Sequence, residues 1–368
     1  ATDLHSRAAE RILSRTGIAR GYCLVLGCGT GQLAYELAKR SELIVVGADE
    51  DAAAIGEARK RLRAAGVYGT RVTVRHVSSL AKLPFTSGFA NLVVSESLLA
   101  AGQCPGTAAE MFRVLRPQGG VACLGVARAE QKGTVEQWLK AGGVKYEADD
   151  GLWLTVKRGP LPGAAWWSHQ YGNPGNSSYS GETLQGVSQT SDLALQWLGP
   201  PGADFGLDRN PRMPAPLATN GRLFHQGMNR LIALDCYNGA VLWSLEIPDL
   251  RRVNMPRDAS NWCADDERLF VAVKEKCLSF DGGTGWLVRA YGLPEAGLRA
   301  THEWGYVARA GGKLFGSSVR RGTGYTGFML GAGWYDATQG PGTEKVCSDD
   351  LFAYERDTGH LAWRYAGG

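Results

Sequence analysis

Three glycines at alternate positions, Gly27, Gly29 and Gly31, stand between an apolar run and a segment with helical periodicity. Glycine lets the backbone approach a ligand closely, and the N–H groups at the start of the next helix can bind a negatively charged group. Asp49 ends the following apolar run, where a carboxylate can accept hydrogen bonds from both hydroxyls of a ribose. These residues therefore indicate a site for a ligand that contains a nucleoside.

Two alternatives remain open for these residues. The spacing is GxGxG, with Gln32 where the dinucleotide fingerprint GxGxxG requires a glycine, which counts against dinucleotide binding. The glycines could also form an ordinary tight turn without a ligand. Asp49 could instead cap the helix that starts near Ala52.

The first 157 residues alternate between strand-like and helix-like segments, and these elements must position the loop. We predict helices over residues 5–15, 32–40, 51–65 and 108–115. We predict strands over residues 22–26, 43–48, 71–77, 91–95 and 120–126. Strands that alternate with helices of this length predict a parallel, doubly wound sheet.

Five segments in this region resemble a class I S-adenosylmethionine-dependent methyltransferase domain of the type 11 kind. The matching segments are residues 25–31, 46–49, 83–85, 89–94 and 110–120. They follow the family's order over roughly residues 20–126, and Arg-Val-Leu-Arg-Pro followed by Gly-Gly is the most specific part. The resemblance implies a Rossmann-like methyltransferase domain over residues 1–158 that binds S-adenosylmethionine and methylates an acceptor the sequence does not identify.

The resemblance also implies roles for individual residues. The three glycines would pass beneath the methionine moiety, Asp49 would bind the ribose, and Ser79 would face the adenine. Residues 95–97 would face the sulfonium and the acceptor. The expected cofactor-binding residues are Leu26, Gly27, Cys28, Gly29, Gly31, Asp49, Glu50, Ser79 and Ser95.

Glu96 and His76 are the candidates for a base, because methyl transfer often needs one in addition to proximity and orientation. Glu96 is the predicted catalytic residue. The alternatives are a solvated loop carboxylate for Glu96 and a strand residue that faces a helix for His76.

Three positions depart from the family pattern. Val25 and Ser79 stand where the family usually has acids, and residues 89–91 read Phe-Ala-Asn where it often reads Phe-Asp. Two of the missing acids help to hold the cofactor in the family, so we expect a lower affinity; one hydrogen bond to a charged group contributes about 1.5–3 kcal/mol. The losses motivate an alternative function, a non-catalytic binding or scaffold protein with a degenerate methyltransferase fold.

The second half of the chain contains a repeat of about 46 residues. Leu223 and Leu269 are 46 residues apart, and Leu269 and Leu314 are 45 apart. In each repeat an acid is followed by a glycine four positions later and by Trp or Arg eight positions later: Asp235, Gly239 and Trp243; Asp281, Gly285 and Arg289; Glu355, Gly359 and Trp363. A partial fourth repeat is predicted to end at residues 195–197, and the third carries an insertion over roughly residues 320–347.

A unit of four short strands at this period is typical of a β-propeller blade. The repeats and the lead-in at residues 167–176 resemble the quinoprotein-type, PQQ-repeat β-propeller. We therefore predict three to four blades over residues 159–368, an incomplete propeller whose remaining blades lie outside this chain, acting as a scaffold or as a recognition surface for a protein partner. Bound pyrroloquinoline quinone is not expected, because the adjacent cysteine pair of the family's dehydrogenases is missing; a quinone-dependent oxidoreductase is the weaker alternative.

Composition excludes several other classes of function. The 368 residues carry a net charge of +4, which does not indicate a nucleic-acid partner. There is no apolar run of about 18 residues, so we expect no membrane span. The eight cysteines form no CxxC pair, which predicts buried thiols and neither a disulfide framework nor a metal site. The methyl donor favours a cytoplasmic location, and export stays open if an upstream signal was removed.

Overall fold

The computed structural model describes residues 3–149, 151–184, 186–200, 215–227, 229–250, 260–321 and 348–367. The chain divides into two units. Unit 1 contains residues 1–162 and 195–197, and unit 2 contains residues 163–194 and 198–368.

Unit 1 is built on a seven-stranded sheet with helices between its strands. Its elements are α1 (Asp3–Thr16), β1 (Tyr22–Leu26), α2 (Gln32–Arg40), β2 (Ile44–Asp49), α3 (Ala52–Ala64), β3 (Val72–His76), β4 (Leu92–Ser95), α4 (Glu96–Ala101), α5 (Ala108–Val114), β5 (Gly120–Gly125), α6 (Lys132–Ala141), β6 (Glu147–Ala148) and β7 (Trp153–Arg158). The strand order is β3-β2-β1-β4-β5-β7-β6.

The central strands of this sheet are buried on both faces. Alternate residues of β1 pack into two different apolar clusters: Leu24 and Leu26 lie in the cluster with residues of α5 and α6, whereas Cys23 and Val25 lie in the cluster with residues of α1, α2 and α3. A sheet covered by helices on both faces is the doubly wound arrangement. The predicted Rossmann-like fold of the N-terminal region is therefore confirmed.

The five predicted strands pair in parallel as expected, and the sheet has two further strands that were not predicted. Strands β1 to β5 pair in parallel, but β7 runs antiparallel to both β5 and β6. Only a short connection joins β6 to β7, and parallel strands need a crossover of a dozen or more residues. The edge is therefore a hairpin, which the sequence pattern did not predict.

The strand order reverses at β1, because β2 and β3 lie on one side of it and β4 and β5 on the other. At the carboxyl end of β1, Leu26 is in register with Ala48 of β2 and with Ser95 of β4. In open α/β sheets, ligands bind in the crevice outside the carboxyl ends of strands at such a reversal. The glycine loop, Asp49 and Glu96 therefore lie at the carboxyl ends of three neighbouring strands, β1, β2 and β4.

Unit 2 contains three four-stranded antiparallel sheets in its described residues. The first has β8 (Leu217–Thr219), β9 (Arg222–Gly227), β10 (Arg230–Asp235) and β11 (Val241–Glu246); the second has β12 (Trp262–Ala264), β13 (Arg268–Val273), β14 (Lys276–Asp281) and β15 (Leu287–Gly292); the third has β16 (His302–Ala310), β17 (Lys313–Arg320), β18 (Asp350–Glu355) and β19 (Leu361–Ala366). A short helix, α7 (Leu298–Thr301), precedes β16.

The three predicted repeats correspond to these three sheets. Leu223, Leu269 and Leu314 occupy the second position of the second strand in each sheet. The turn glycines Gly239, Gly285 and Gly359 have φ values of 71°, 76° and 76°, in the left-handed region that favours glycine. Each glycine N–H donates to the carbonyl oxygen of the acid four residues earlier, at 2.8–2.9 Å. The four-stranded repeat and its hairpin turn are thus confirmed.

Neighbouring sheets contact each other through the residue eight positions after the turn acid. Trp243 is 5% exposed and donates from Nε1 to the carbonyl oxygen of Gly282 in the second sheet, at 2.9 Å. Arg289 donates from Nη2 to the carbonyl oxygen of Asp357 in the third sheet, at 3.0 Å.

The predicted fourth repeat is wrong as far as the described residues reach. Leu195, Gln196 and Trp197 form no strand and group with unit 1. Gln196 Nε2 donates to the carbonyl oxygen of Ser87 at 2.6 Å, which accounts for that grouping. Most of the predicted insertion, residues 322–347, lies outside the described residues.

Candidate functional site

The glycine loop between β1 and α2 requires glycine at all three positions. Gly27, Gly29 and Gly31 have φ values of 55°, 50° and 79°. A Cβ at Gly27 would lie 2.3 Å from Ser97 Oγ, at the start of α4. At Gly27 the loop therefore lies so close to Ser97 of α4 that an added side chain would require Ser97 to move. Close approach of the loop backbone to a ligand stays a prediction.

Asp49 joins the end of β2 to this loop. Its Oδ2 accepts a hydrogen bond from the Gly29 N–H at 2.8 Å, and its Oδ1 accepts one from the Asp51 N–H at 2.9 Å. The alternative that Asp49 caps α3 is wrong, because Asp51 is the cap and accepts from the N–H groups of Ala53 and Ala54. A carboxylate has about four acceptor positions, so half-buried Asp49 retains capacity for two hydroxyl donors.

The start of α2 offers both hydrogen-bond donors and a hydrogen-bond acceptor. Within the described residues, the backbone N–H groups of Thr30 and Gln32 donate to no acceptor. The side-chain Oε1 of Gln32 is buried and accepts no hydrogen bond there. Two donors and a buried acceptor beside a helix N-terminus are complementary to a group that carries both a carboxylate and an ammonium.

Glu96, the predicted base, is 6% exposed and lies at the first position of α4. Its Oε2 accepts a hydrogen bond from the Leu33 N–H in α2 at 3.0 Å, and its Oε1 lies 3.3 Å from His5 Nε2 of α1. The alternative of a solvated loop carboxylate is therefore wrong. Oε2 is engaged by the Leu33 N–H, and catalysis by Glu96 stays a prediction.

The other predicted site residues have separate contacts and do not share one role. Leu26 and Cys28 are fully buried, and burial, with the charges of Asp49 and Glu96, raises the pKa of the Cys28 thiol. Ser95 Oγ accepts the Leu98 N–H at 3.1 Å and so caps α4. Ser79 Oγ accepts the Ala81 N–H at 3.1 Å. Glu50 accepts the Leu80 N–H.

His76, the second candidate base, ends β3 and is exposed. Its Nε2 lies 3.1 Å from the carbonyl oxygen of Glu50. The alternative that His76 is a strand residue facing a helix is therefore wrong. Its exposed position at the strand end gives it no contact with the glycine loop among the described hydrogen bonds.

His5 and the contact between Glu96 and Leu33 were not predicted from the sequence. One signal was present there: Gly31, the residue that precedes α2, has no side chain and cannot cap the helix. A helix start without a local cap requires partners from elsewhere in the fold. The sequence does not show that Glu96 of α4 is this partner, because only the strand order brings it to the start of α2.

Unit 2 has a cavity of about 450 Å³ that is lined by residues of the lead-in and of all three sheets. Its charged groups pair with one another. Asp265 Oδ2 lies 3.1 Å from both Arg309 Nε and Arg356 Nη1. His169 is 2% exposed; its Nε2 accepts the Arg309 N–H at 3.1 Å, and its Nδ1 lies 2.8 Å from Ser168 Oγ. Burial and the Arg309 charge lower the pKa of His169 to about 4.

The seven cysteines among the described residues are free thiols, and five of them are buried. The buried five are Cys23, Cys28, Cys123, Cys263 and Cys277; Cys347 lies outside the described residues. Burial raises the pKa of Cys123 to about 12. The prediction of buried thiols is confirmed for these five.

Two features are absent from the described ranges. No group of three or more His, Cys, Asp or Glu side chains comes together there in a way that could hold a metal ion. No helix in the same ranges has both the length and the apolar character needed to cross a membrane.

Residues 23–119 match the family model described as a methyltransferase domain. The matched segment runs from β1 to the turn before β5 and contains the glycine loop, Asp49 and Glu96. This match and the sheet topology define the class of unit 1: a Rossmann-like domain of the methyltransferase type. No curated protein matches the chain.

Three solved structures are among those similar to part of this chain. A Methanococcus maripaludis protein assigned as an S-adenosyl-L-methionine-dependent methyltransferase is 20% identical, with 43% of this chain and 86% of that chain covered and a TM-score of 0.36. A SAM-dependent methyltransferase from Aquifex aeolicus is 16% identical, with 40% and 87% covered and a TM-score of 0.33. The [4+2]-cyclase SpnF is 20% identical, with 39% and 59% covered and a TM-score of 0.32. With TM-scores below 0.5, these similarities carry no argument about activity.

Proposed function

We propose that unit 1 binds S-adenosylmethionine and transfers its methyl group to an acceptor. The observation that carries the proposal is the convergence of the glycine loop and Asp49 where the strand order reverses, linked by the hydrogen bond from Gly29 to Asp49. The match of residues 23–119 to a methyltransferase domain supports the choice of ligand. The same ligand favours a cytoplasmic location.

The residues around the loop fit the parts of this ligand. Asp49 would accept hydrogen bonds from the ribose hydroxyls, in an orientation fixed by Gly29 and Asp51. The amino-acid end of the ligand carries an ammonium and a carboxylate, which suit Gln32 Oε1 and the N–H groups of Thr30 and Gln32. Residues 50 and 79 would border the adenine, beside the contact of Glu50 with the Leu80 N–H.

Bound S-adenosylmethionine would supply an electrophilic methyl group on a sulfonium. The protein's contribution is then to hold the donor and the acceptor in line and close together, which can account for several powers of ten in rate. Glu96 Oε2 accepts the Leu33 N–H and the side chain is buried, so this site supports catalysis by proximity and orientation more than by a general base.

For unit 2 we propose a scaffold or recognition role, with the three sheets as consecutive blades of a β-propeller. In two of the sheets the residue eight positions after the turn acid, Trp243 or Arg289, contacts the turn of the next sheet. This repeated contact supports the arrangement. The paired charges in the unit 2 cavity hold the lead-in and the sheets together and assign it no chemistry of its own.

Calorimetric titration of the full chain with S-adenosylmethionine and S-adenosylhomocysteine tests the proposal. We expect binding of both, and a loss of at least tenfold in affinity for Asp49→Ala, because a hydrogen bond to a charged group contributes about 1.5–3 kcal/mol. Asp51→Ala is the matched control, since it removes a cap of α3 from the neighbouring turn. Unchanged affinity in Asp49→Ala would contradict the assignment of the ribose site.

A second candidate, a non-catalytic binding protein with a degenerate site, is favoured by one observation. Val25 is fully buried among apolar side chains where the resembling family has an acid. On this alternative neither nucleoside gives detectable heat at high ligand concentration. Binding of either nucleoside at micromolar concentration would contradict a degenerate nucleoside site.

A further inference from the structure

Helix α2 begins without a cap from its own neighbourhood. Its N-cap residue is Gly31, which has a φ of 79° and makes no side-chain hydrogen bond. The Leu33 N–H donates instead to Oε2 of Glu96, 63 positions later in the chain, at 3.0 Å. A carboxylate at a helix N-terminus also interacts favourably with the positive end of the helix dipole. Glu96 therefore caps α2 from the neighbouring strand end.

The carboxylate also lies directly beneath the glycine loop. A Cβ placed on Gly29 would be 3.7 Å from Glu96 Oε1, which is van der Waals contact. The same oxygen lies 3.3 Å from His5 Nε2 of α1. Glu96 and His5 are 6% and 7% exposed. Three elements, α1, α2 and α4, thus meet at one buried carboxylate under the loop.

Strand β1 itself supplies no acid to the loop. Val25 precedes the loop by two residues, packs in the apolar cluster and offers the loop no hydrogen bond from its side chain. Glu96 extends from the end of β4, the strand paired with β1, and reaches the loop and the start of α2. An acid on the neighbouring strand is therefore present where β1 has none.

We propose that Glu96, which lies beside His5, is a positioning residue that fixes the Gly27–Gly31 loop and the start of α2 for the amino-acid end of the ligand. The inference rests on the proposed function, because that function supplies the ligand. It assigns the two carboxylates at the loop to different parts of the ligand: Asp49 to the ribose and Glu96, through Leu33 and the loop, to the methionine moiety.

The test compares two ligands that differ only at that end. S-adenosylhomocysteine has the amino-acid group, and 5′-deoxy-5′-methylthioadenosine keeps the nucleoside and the sulfur but lacks it. For Glu96→Ala we expect affinity for S-adenosylhomocysteine to fall about tenfold or more, and affinity for methylthioadenosine to change less than about threefold. Asp49→Ala should weaken both ligands.

Two further variants separate positioning from general stability. Glu96→Gln keeps an oxygen that can accept the Leu33 N–H and should recover most of the affinity for S-adenosylhomocysteine. Glu36→Ala is the matched control, because Glu36 is also a buried acid of this region, 4% exposed and paired with Arg40 within α2, away from the loop. It should leave the ratio of the two affinities unchanged.

An equal loss for both ligands in Glu96→Ala, or a changed ratio in Glu36→Ala, would overturn the inference. If Glu96→Ala does not fold, His5→Ala is measured in its place and should shift the ratio in the same direction by a smaller factor. If the unaltered protein binds neither ligand, the proposed function fails and the assignment of Glu96 to the methionine moiety fails with it. Hydrogen exchange then tests the remaining part of the inference, that Glu96 fixes the loop and the start of α2. Faster exchange of residues 28–34 in Glu96→Ala or His5→Ala than in Glu36→Ala supports that part, and equal exchange overturns it.

Discussion

The two units use the same pair of residue types, aspartate and glycine, for different purposes. In unit 1, Asp49 ends one strand and accepts the N–H of Gly29, which follows another strand. In unit 2, Asp281 accepts the N–H groups of Gly283 and Thr284 and the Thr284 hydroxyl, all within its own turn. The acid of unit 1 therefore ties distant segments around a crevice, whereas the acid of unit 2 completes a local hairpin.

The difference follows from topology. Parallel strands bring several chain segments to one edge, so polar groups far apart in sequence collect where the strand order reverses. Antiparallel sheets with short hairpins satisfy polar groups locally and leave the residues between sheets to pack. We therefore expect substitutions in unit 1 to alter binding, and substitutions in unit 2 to alter stability.

The largest effect is expected for Trp243→Ala. This side chain packs 5.9 Å from the Phe224 ring centre and lies over Gly285 of the next sheet, where a Cβ would be 2.8 Å from its ring. Removing a buried tryptophan costs about 3–5 kcal/mol of unfolding free energy. Denaturant unfolding measures this loss in unfolding free energy, and hydrogen exchange in β10 and β14 shows whether it arises in the first two sheets.

Trp286→Ala is the control for that prediction, because Trp286 is 77% exposed in the turn before β15. We expect it to change stability by less than about 0.5 kcal/mol. Similar losses of unfolding free energy in both variants would contradict the packing role assigned to Trp243.

His169 should give unit 2 a pH dependence of its own. His169 has a pKa of about 4 in the folded protein, below the ordinary value of about 6.5 that it has when unfolded. Above pH 6.5 both states are neutral at this residue; as pH falls from 6.5 to 4, only the unfolded state takes up the proton, and stability falls. The loss reaches about 3 kcal/mol and then levels off.

The contribution of His169 is measured as the difference between the unaltered protein and His169→Gln across that pH range. Subtraction removes the carboxylates that titrate in both proteins. A difference that stays constant from neutral pH down to the folded-state pKa of about 4 would contradict the neutral, buried histidine.

Gly27→Ala tests the loop of unit 1. Alanine is strained at a φ of 55°, and its Cβ would overlap Ser97 Oγ. We expect a loss of about 2–3 kcal/mol in the stability of unit 1 together with weaker binding of S-adenosylhomocysteine. Calorimetric titration and thermal unfolding of the same samples measure the two effects; wild-type binding by this variant would show that the loop does not approach the ligand.

The smallest effect has the opposite sign. Gly56 lies within α3, a Cβ added there would meet no atom within 4 Å, and its φ is outside the left-handed region. Gly56→Ala should therefore stabilise unit 1 by about 0.5–1 kcal/mol. Thermal unfolding of Gly56→Ala and Gly27→Ala compares the same substitution at a helical and at a left-handed glycine. Destabilisation by both would contradict the expected dependence on backbone conformation.

Local patterns predicted much of the fold. The bounds of β1 and α2 agree with the predicted residues 22–26 and 32–40 because a short apolar run, a glycine turn and helical periodicity follow one another there. The first strands β8 and β12 have three residues each and share only one residue at equivalent positions, Ala218 and Ala264, so they were not located. The antiparallel β7 was missed because pairing with β5 depends on distant residues.

The same limit applies to the candidate site. The glycine spacing and Asp49 were visible because both lie at strand ends that the pattern locates. The partners of Glu96 were not, because His5 and Leu33 are 91 and 63 positions away and only the strand order brings them together.

Hydrogen exchange of the full chain with and without S-adenosylhomocysteine is the decisive test of the difference between the two units. We expect slower exchange on ligand addition in residues 26–33 and 47–51 of unit 1, and no change in strands β8 to β19 of unit 2. Protection that appears in the sheets of unit 2, with none at the glycine loop, would contradict the assignment of binding to unit 1.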